Sequence, residues 1–255
     1  MHLISFDPLR TLDIPTAKPV KPENWLSAKK DIIKADWILF PEYWQVNALV
    51  YAWKKRIFPS INSYHLGHDK IEMTRAFEAV CPANVPITLI LPATDSAEEQ
   101  ILETFRFPIV AKEVRSSMGC GVRLLQTRSD LRDYITNNSV LYLQEYLPID
   151  RDLRVVVIGQ KVVAAYWRIA AEGCFHNNVA QGSLVSFDAI PAGVVEFVEQ
   201  VAVTLGVNHA GFDVAVVDGW FYLFEFNVRF GTQALHEHGI SLSPLILQVL
   251  QNESP

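Results

Sequence analysis

The sequence predicts a mixed α/β (α+β) protein made of more than one lobe. Short apolar strands alternate with helical stretches over the first 60 residues, the pattern of a small α/β layer. Residues 155–168 read as a β-hairpin about Gly159-Gln160, and residues 211–229 as another about Asp218-Gly219. Between and around these hairpins lie helical periods at 69–80, 96–104, 129–136 and 191–205.

The chain has 255 residues, enough for one large domain or two to three small lobes. Hydrophobic residues make up 50%, yet no run approaches the roughly 18 apolar residues that span a bilayer. The opening Met-His-Leu-Ile-Ser-Phe-Asp has neither a basic region nor a cleavage site, so a cytoplasmic protein is expected. A net charge of −6 argues against a general nucleic-acid binder. Cys81, Cys120 and Cys174 are far apart and odd in number; they fit neither a zinc spacing nor a disulfide framework.

Glycine is absent before Gly67, whereas six prolines fall in the first 60 residues. That shift sets off an N-terminal lobe over residues 1–66. In it, 2–6 reads as a strand, 8–22 as irregular, 23–35 as a helix, 37–40 as a buried strand, 43–55 as a helix and 57–58 as a short strand. Trp25, Trp37, Trp44 and Trp53 read as core. Beyond it, 69–80 is a helix with Lys70 in its first turn, 85–92 a strand and 96–104 a helix with first-turn acids. Residues 107–115 form a strand carrying Lys112. Ser116-Ser117-Met118-Gly119-Cys120-Gly121 follows, and then strand 122–125. Small residues let backbone N–H groups approach phosphate oxygens, and a lysine on the preceding strand would add charge. A glycine hairpin beside a snorkelling lysine explains the same residues.

Residues 129–136 are helical and 140–147, containing Gln144-Glu145-Tyr146-Leu147, form a strand. Asp152 and Arg154 open the Gly159 hairpin and Arg168 closes it, two arginines suited to bidentate phosphate contacts. Residues 170–183 read as a loop, 191–205 as an amphipathic helix and 240–250 as the closing helix.

The hairpin at 211–229 carries three polar groups in an apolar run: Asp213, Glu225 and Asn227. Buried carboxylates are costly unless compensated. Glu225 and Asn227 share a face by their spacing. A two-residue Asp-Gly turn would put Asp213 on the other face, whereas a three-residue loop over 217–219 would gather all three. Only the gathered set offers oxygen ligands to a hard cation such as Mg²⁺, so the three-residue loop is expected. Edge carboxylates facing water are the alternative.

The order Lys70, Lys112, Ser/Gly loop, Gln144-Glu-Tyr-Leu147, Asp152-Leu-Arg154, Arg168, Asn178, Asp213 and Glu225-Phe-Asn227 resembles the ATP-grasp fold, and within it the RimK-like amino-acid ligases. The likeness covers residues 67–250. It implies a short N-terminal α/β lobe at 1–66, a central lobe at 67–143 and a C-terminal lobe at 144–255, the last two enclosing ATP. It implies that Lys70, Lys112 and the loop residues Ser116, Ser117, Gly119 and Gly121 meet phosphates. Gln144, Glu145, Tyr146 and Leu147 would meet adenine, and Asp152 the ribose. Asp213, Glu225 and Asn227 would hold Mg²⁺, two ions by the family pattern, with Mn²⁺ as a substitute. Arg154, Arg168, Asn178 and Arg229 would form the catalytic set.

The implied activity is an ATP-dependent carboxylate–amine ligation through an acylphosphate. Its partners would be a small carboxylate and amine, or a peptide or protein terminus, with no nucleic acid and no membrane; a homo-oligomer is left open. An ATP-binding regulatory protein, a carboxylate kinase or a thiol ligase are the other readings. The chain departs from the family pattern at His176, at Ala180-Gln181-Gly182-Ser183 and at Val228-Arg229-Phe230-Gly231, where the acceptor would bind. His236, Glu237 and His238 read as a polar helix N-terminus or as acceptor contacts.

Overall fold

The computed structural model describes residues 1–114, 121–169 and 184–253. The first sheet is parallel. Its strands β1 (Leu3–Ser5), β2 (Ala17–Pro19), β3 (Trp37–Leu39) and β4 (Arg56–Phe58) lie in the order β2-β1-β3-β4. The chain leaves β1 for β2 on one side and returns with β3 on the other. The crevice at the C-terminal ends of β1 and β3 is therefore a topological switch point. Helices α1 (Lys29–Lys34), α2 (Tyr43–Asn47) and α3 (Ile61–His68) connect and follow these strands.

Several expectations are corrected here. The helix expected over 23–35 is only α1, because a turn through residues 25–28 precedes it. The helix expected over 43–55 is α2 followed by a π-type turn at Ala48–Ala52. The irregular stretch contains β2, and α3 was not anticipated. Trp37 is buried, but Trp44 is exposed, with its ring edge on Trp25.

The second sheet is antiparallel, with β5 (Thr88–Pro92), β6 (Ile109–Lys112), β7 (Val122–Leu125) and β8 (Val140–Glu145) in the order β5-β8-β6-β7. Helix α4 (Lys70–Val80) precedes it, and its Asp69 cap accepts hydrogen bonds from the N–H groups of Ile71 and Glu72. Helices α5 (Ala97–Thr104) and α6 (Arg128–Asn137) cover one face, where Ile101, Leu131 and Tyr134 pack with Ile109, Leu125 and Leu141.

The third sheet is antiparallel, with β9 (Arg151–Ile158), β10 (Lys161–Ile169), β11 (Leu184–Ser186), β12 (His209–Val217) and β13 (Trp220–Asn227) in the order β11-β10-β9-β12-β13. Helices α7 (Val194–Leu205), α8 (Gln233–Glu237) and α9 (Ser243–Asn252) accompany it. Strand β9 is buried on both faces. Val155 and Val157 pack in one core with Ile4, Ile38 and α7, and Val156 and Ile158 in another with Leu3, Leu39 and α9. Both cores thus join the first and third sheets. Each fully buried Val, Leu or Ile in them is worth about 1.5–3 kcal/mol. His236 and His238 lie at the C-terminal end of α8 rather than at a helix N-terminus, because the helix begins at Gln233.

The loop expected to hold three residues holds two. Val217 pairs with Trp220, and Asp218 and Gly219 have φ of 51° and 80°, the positive pair a type I′ turn requires. That turn alone would separate Asp213 from Glu225. A β-bulge restores the parity: the register shifts after Val214–Leu223, so Phe224 is the extra residue and Asp213 pairs with Glu225. The β9–β10 hairpin repeats the device. Ile158 pairs with Lys161, the register shifts between Val162 and Ala164, and Asp152 comes opposite Arg168.

A Cβ on Gly219 would meet nothing within 4 Å, so Gly219→Ala isolates the cost of positive φ. We expect it to lower unfolding free energy by about 1 kcal/mol in urea titration. Gly231→Ala, equally open but without positive φ, should change little. Equal values for the two would contradict the turn geometry.

Candidate active site

Three adjacent strands of the third sheet carry four buried charges. Asp152 and Arg154 stand two apart on β9, Arg168 on β10 and Asp213 on β12. Arg168 donates through Nε and Nη2 to the two oxygens of Asp152, at 2.7 Å each, and its Nη2 also reaches Asp213 Oδ2 at 3.1 Å. Arg154 donates from Nε to Asp213 Oδ1 at 2.6 Å and from Nη2 to Oδ2 at 3.3 Å. All four residues are under a tenth exposed. Gly211 makes room for Arg154: a Cβ there would lie 2.8 Å from Arg154 Cδ.

Burial works to raise the pKa of Asp213, but Arg154 and Arg168 outweigh it and hold the carboxyl below its ordinary value. For Asp152 burial dominates and pushes the carboxyl up, against the pull of Arg168. Burial disfavours the Arg168 cation, yet Asp213 and Asp152 hold its pKa above the ordinary value.

Strand β13 adds Glu225, opposite Asp213, and Asn227 two residues on. Asn227 Nδ2 donates to Glu225 Oε1 at 3.2 Å, and Lys70 Nζ from the first turn of α4 lies 3.7 Å from Glu225 Oε2. Among the described residues no three His, Cys, Asp or Glu side chains gather as a metal cluster. The available set is two carboxylates and an amide. All three offer oxygen, the donor a hard divalent cation takes, so the residues fit such an ion.

Lys112, at the end of β6, faces this group from the second sheet. Its Nζ donates to Gln144 Oε1 at 2.6 Å, and Gln144 Nε2 donates to Thr88 Oγ1 at 2.9 Å. The ammonium lies 5.7 Å from the Tyr142 ring centre and 5.3 Å from that of Phe224. Burial lowers its pKa to about 8; Glu225 and Asp213 pull it up and Lys70 pushes it down. Glu145 accepts from the Ile87 N–H through Oε1, and its own N–H donates to the Ile87 carbonyl. Tyr146 and Leu147 follow β8, half-buried. Gly121, with φ of 93°, accepts from the Glu113 N–H.

Lys112 and Gln144 of the second sheet therefore face Asp152, Arg154, Arg168, Asp213, Glu225 and Asn227 of the third, with Lys70 joining them from the start of α4. Arg229 is placed elsewhere. It donates to Glu42 Oε1 at 3.1 Å and to the Pro41 carbonyl at 3.2 Å, both after β3. Ser116, Ser117, Gly119, Cys120, Cys174, His176 and Asn178 lie outside the described residues. Cys81 is half-buried, and burial raises its thiol to about 11. Phe224, Tyr142, Thr88 and Gly211 were not singled out in the sequence; the bulge that aims Phe224 leaves no mark in the hydrophobic pattern.

Two antiparallel sheets facing each other across lysines, arginines and carboxylates define an ATP-grasp protein. Residues 68–250 match the RimK-like ATP-grasp domain, and the chain belongs to that family. It is 27% identical over 214 residues to the "Probable alpha-L-glutamate ligase" of Citrobacter koseri, covering 78% of this chain and 71% of that one. The "Ribosomal protein bS6--L-glutamate ligase" of Salmonella paratyphi B matches with the same identity and coverage. In fold the chain is similar to the D-alanine–D-alanine ligase of Bacillus anthracis, with a TM-score of 0.70, 17% identity, and coverage of 93% and 86%.

Removing one partner from a buried ion network leaves the others uncompensated, at a cost of about 3–5 kcal/mol. Asp213→Ala should lose that much unfolding free energy, and Glu225→Gln, half-buried, far less. Equal losses would show that Asp213 is not the hub.

Lys112 gives a pH test. Its folded-state pKa of about 8 lies below the ordinary 10.5, so between those values the unfolded chain holds more protons. The cost of burying the ammonium is fully present below about pH 8 and fades as the pH rises to 10.5. The stability of wild type relative to Lys112→Met should therefore rise over that window, by up to about 3 kcal/mol. A difference independent of pH would contradict a buried charge.

Proposed function

We propose that this chain is an ATP-dependent carboxylate–amine ligase that forms an amide bond through an acylphosphate. The observation that carries the reading is Lys112: a buried cation held by Gln144 between two rings and turned toward Asp213 and Glu225. A fold has no stability reason to bury such a charge; a phosphate chain between the sheets gives it one. Membership in the RimK-like family, and relatives named as glutamate ligases, support the same reading.

In this scheme residues 67–143 and 144–255 enclose the nucleotide, and 1–66 form the lobe before them. Lys70 and Lys112 bind phosphate oxygens, and the segment containing Ser116, Ser117, Gly119 and Gly121 covers them. The Gln144–Leu147 segment meets adenine and Asp152 the ribose. Asp213, Glu225 and Asn227 would hold Mg²⁺, which would supply charge neutralisation on the phosphates. Arg154 and Arg168, with Asn178, stabilise charge on the transferred phosphoryl group. Each arginine already makes a bidentate bond to a carboxylate, and a phosphoryl oxygen can take the place of one such oxygen. The chain's contribution is positioning and electrostatics; no protein nucleophile takes part. The acyl acceptor is a small amine or a peptide or protein terminus, by analogy with the relative named for ribosomal protein bS6.

Glu225→Gln keeps shape and one acceptor oxygen but loses charge. Its turnover should fall about 100-fold at saturating Mg·ATP, equivalent to roughly 2.7 kcal/mol of transition-state stabilisation. Acceptor-dependent ADP release measures it, with circular dichroism as the folding check. Wild-type turnover in a folded variant would remove Glu225 from the mechanism.

A further inference from the structure

The second sheet carries Lys112 toward the carboxylates of the third, yet its apolar core includes no residue of α4. Met73 and Phe77 of α4 pack instead with Phe212 and Phe226 of the third sheet. The apolar face of the helix therefore belongs to the third sheet. Lys70 reaches the same way, with its ammonium 3.7 Å from Glu225 Oε2.

Two hydrogen bonds run from this helix toward the second sheet. The Lys70 N–H donates to the Val114 carbonyl at 3.4 Å, two residues past Lys112. One turn on, the hydroxyls of Thr74 and Tyr142 share a hydrogen bond of 2.7 Å, and both residues are buried. Thr74 follows Lys70 by four residues and so lies on the same face of α4. Tyr142 is the cross-strand neighbour of Lys112, and its ring centre is 5.7 Å from the ammonium. From the α6 side, the Tyr134 hydroxyl donates to the Lys112 carbonyl at 2.9 Å and accepts from the Tyr142 N–H at 3.1 Å, which fixes the backbone of both. Tyr142 thus touches Lys112 with its ring and α4 with its hydroxyl. Stability does not require this arrangement. A hydrogen bond contributes roughly 0.5–1.5 kcal/mol net, and apolar groups of the same shape in place of both partners are nearly neutral. What the bond supplies is a fixed separation, with Lys112 at one end and the turn bearing Lys70 at the other. Apolar contact, being non-directional, does not supply that.

We infer that Tyr142, through Thr74, is a positioning residue for the two phosphate-binding lysines. The bond between the hydroxyls sets the distance from Lys112 on the second sheet to Lys70 and the carboxylates of the third. The inference rests on the ligase reading, in which both lysines meet one phosphate chain, and adds the side chain that holds them in register.

The full chain is prepared with Tyr142→Phe, with Thr74→Val and with both, and Mg·AMP-PNP affinity is measured by calorimetry beside urea unfolding. Each single variant leaves a buried hydroxyl unpaired and should lose stability, whereas the double variant removes both hydroxyls and should recover it. Affinity should follow a different pattern. It should be about tenfold weaker in each single variant and still about tenfold weaker in the double variant, because the separation is no longer fixed. Thr74→Ser keeps the hydroxyl and should bind within about threefold of wild type. Affinity that recovers together with stability in the double variant would show a purely structural bond and overturn the inference. Single variants that bind as wild type does, or a Thr74→Ser variant as weak as Thr74→Val, would overturn it as well. Wild-type binding is read first. If wild type binds and the variants match it, this inference fails and the ligase reading stands. If wild type binds no Mg·AMP-PNP, the ligase reading fails and takes the inference with it.

Discussion

The buried bonds among Asp152, Arg168, Asp213 and Arg154 are the constraint on which the rest of this structure depends. Four charges withdrawn from water are costly, and their mutual attraction offsets that cost only with close, bidentate geometry. The geometry in turn needs each residue directly across from its partner on the neighbouring strand. Two hairpins meet that demand in one way. Each has a two-residue turn, which suits the strand twist, and each has one bulge, which corrects the parity the turn imposes. Without the bulges, Asp152 would not face Arg168, nor Asp213 face Glu225. The network gives little net stability. It holds cations and carboxylates in place, already desolvated, so that under the proposed function an exchange of partners with phosphate would require little rearrangement.

The second sheet reaches this network through α4 and β6. Lys70 lies near Glu225, Thr74 shares a hydrogen bond with the Tyr142 hydroxyl, and Met73 Sδ accepts from the Phe226 N–H. Helix α4 thus touches both walls of the site within two turns. The core of the second sheet is its own, whereas the first and third sheets are fused through β9. Lys112, fixed to the second sheet through Gln144 and Thr88, confronts carboxylates fixed to the third.

Much of this was legible in the chain. Both hairpins, the helix bearing Lys70, the strand bearing Lys112 and the polar interruptions at Asp213, Glu225 and Asn227 stand out because polar groups within apolar runs are conspicuous. The bulges were not legible. Residues 213–226 fit two parities equally well, and the tertiary demand for charge pairing selects between them. The turn was therefore misjudged while its consequence, a shared face, was right. The fate of Arg229 was also hidden. Its neighbours in sequence belong to β13, the strand of Glu225 and Asn227, but its partners Glu42 and Pro41 lie nearly 190 residues away. Trp44 was misplaced in the core because a tryptophan's size says little about which face of a short helix it takes.

The central claim is that the guanidiniums of Arg154 and Arg168 are held in carboxylate bonds that a nucleotide exchanges for its own oxygens. Arginine Nε–H resonances report this directly. On saturation with Mg·AMP-PNP, the Nε–H signals of Arg154 and Arg168 should shift strongly, while that of Arg56, stacked on Trp37 at 3.8 Å, should remain fixed. Unmoved Arg154 and Arg168 signals at full occupancy would show that the network is structural and that phosphoryl transfer, if it occurs, is managed by other residues.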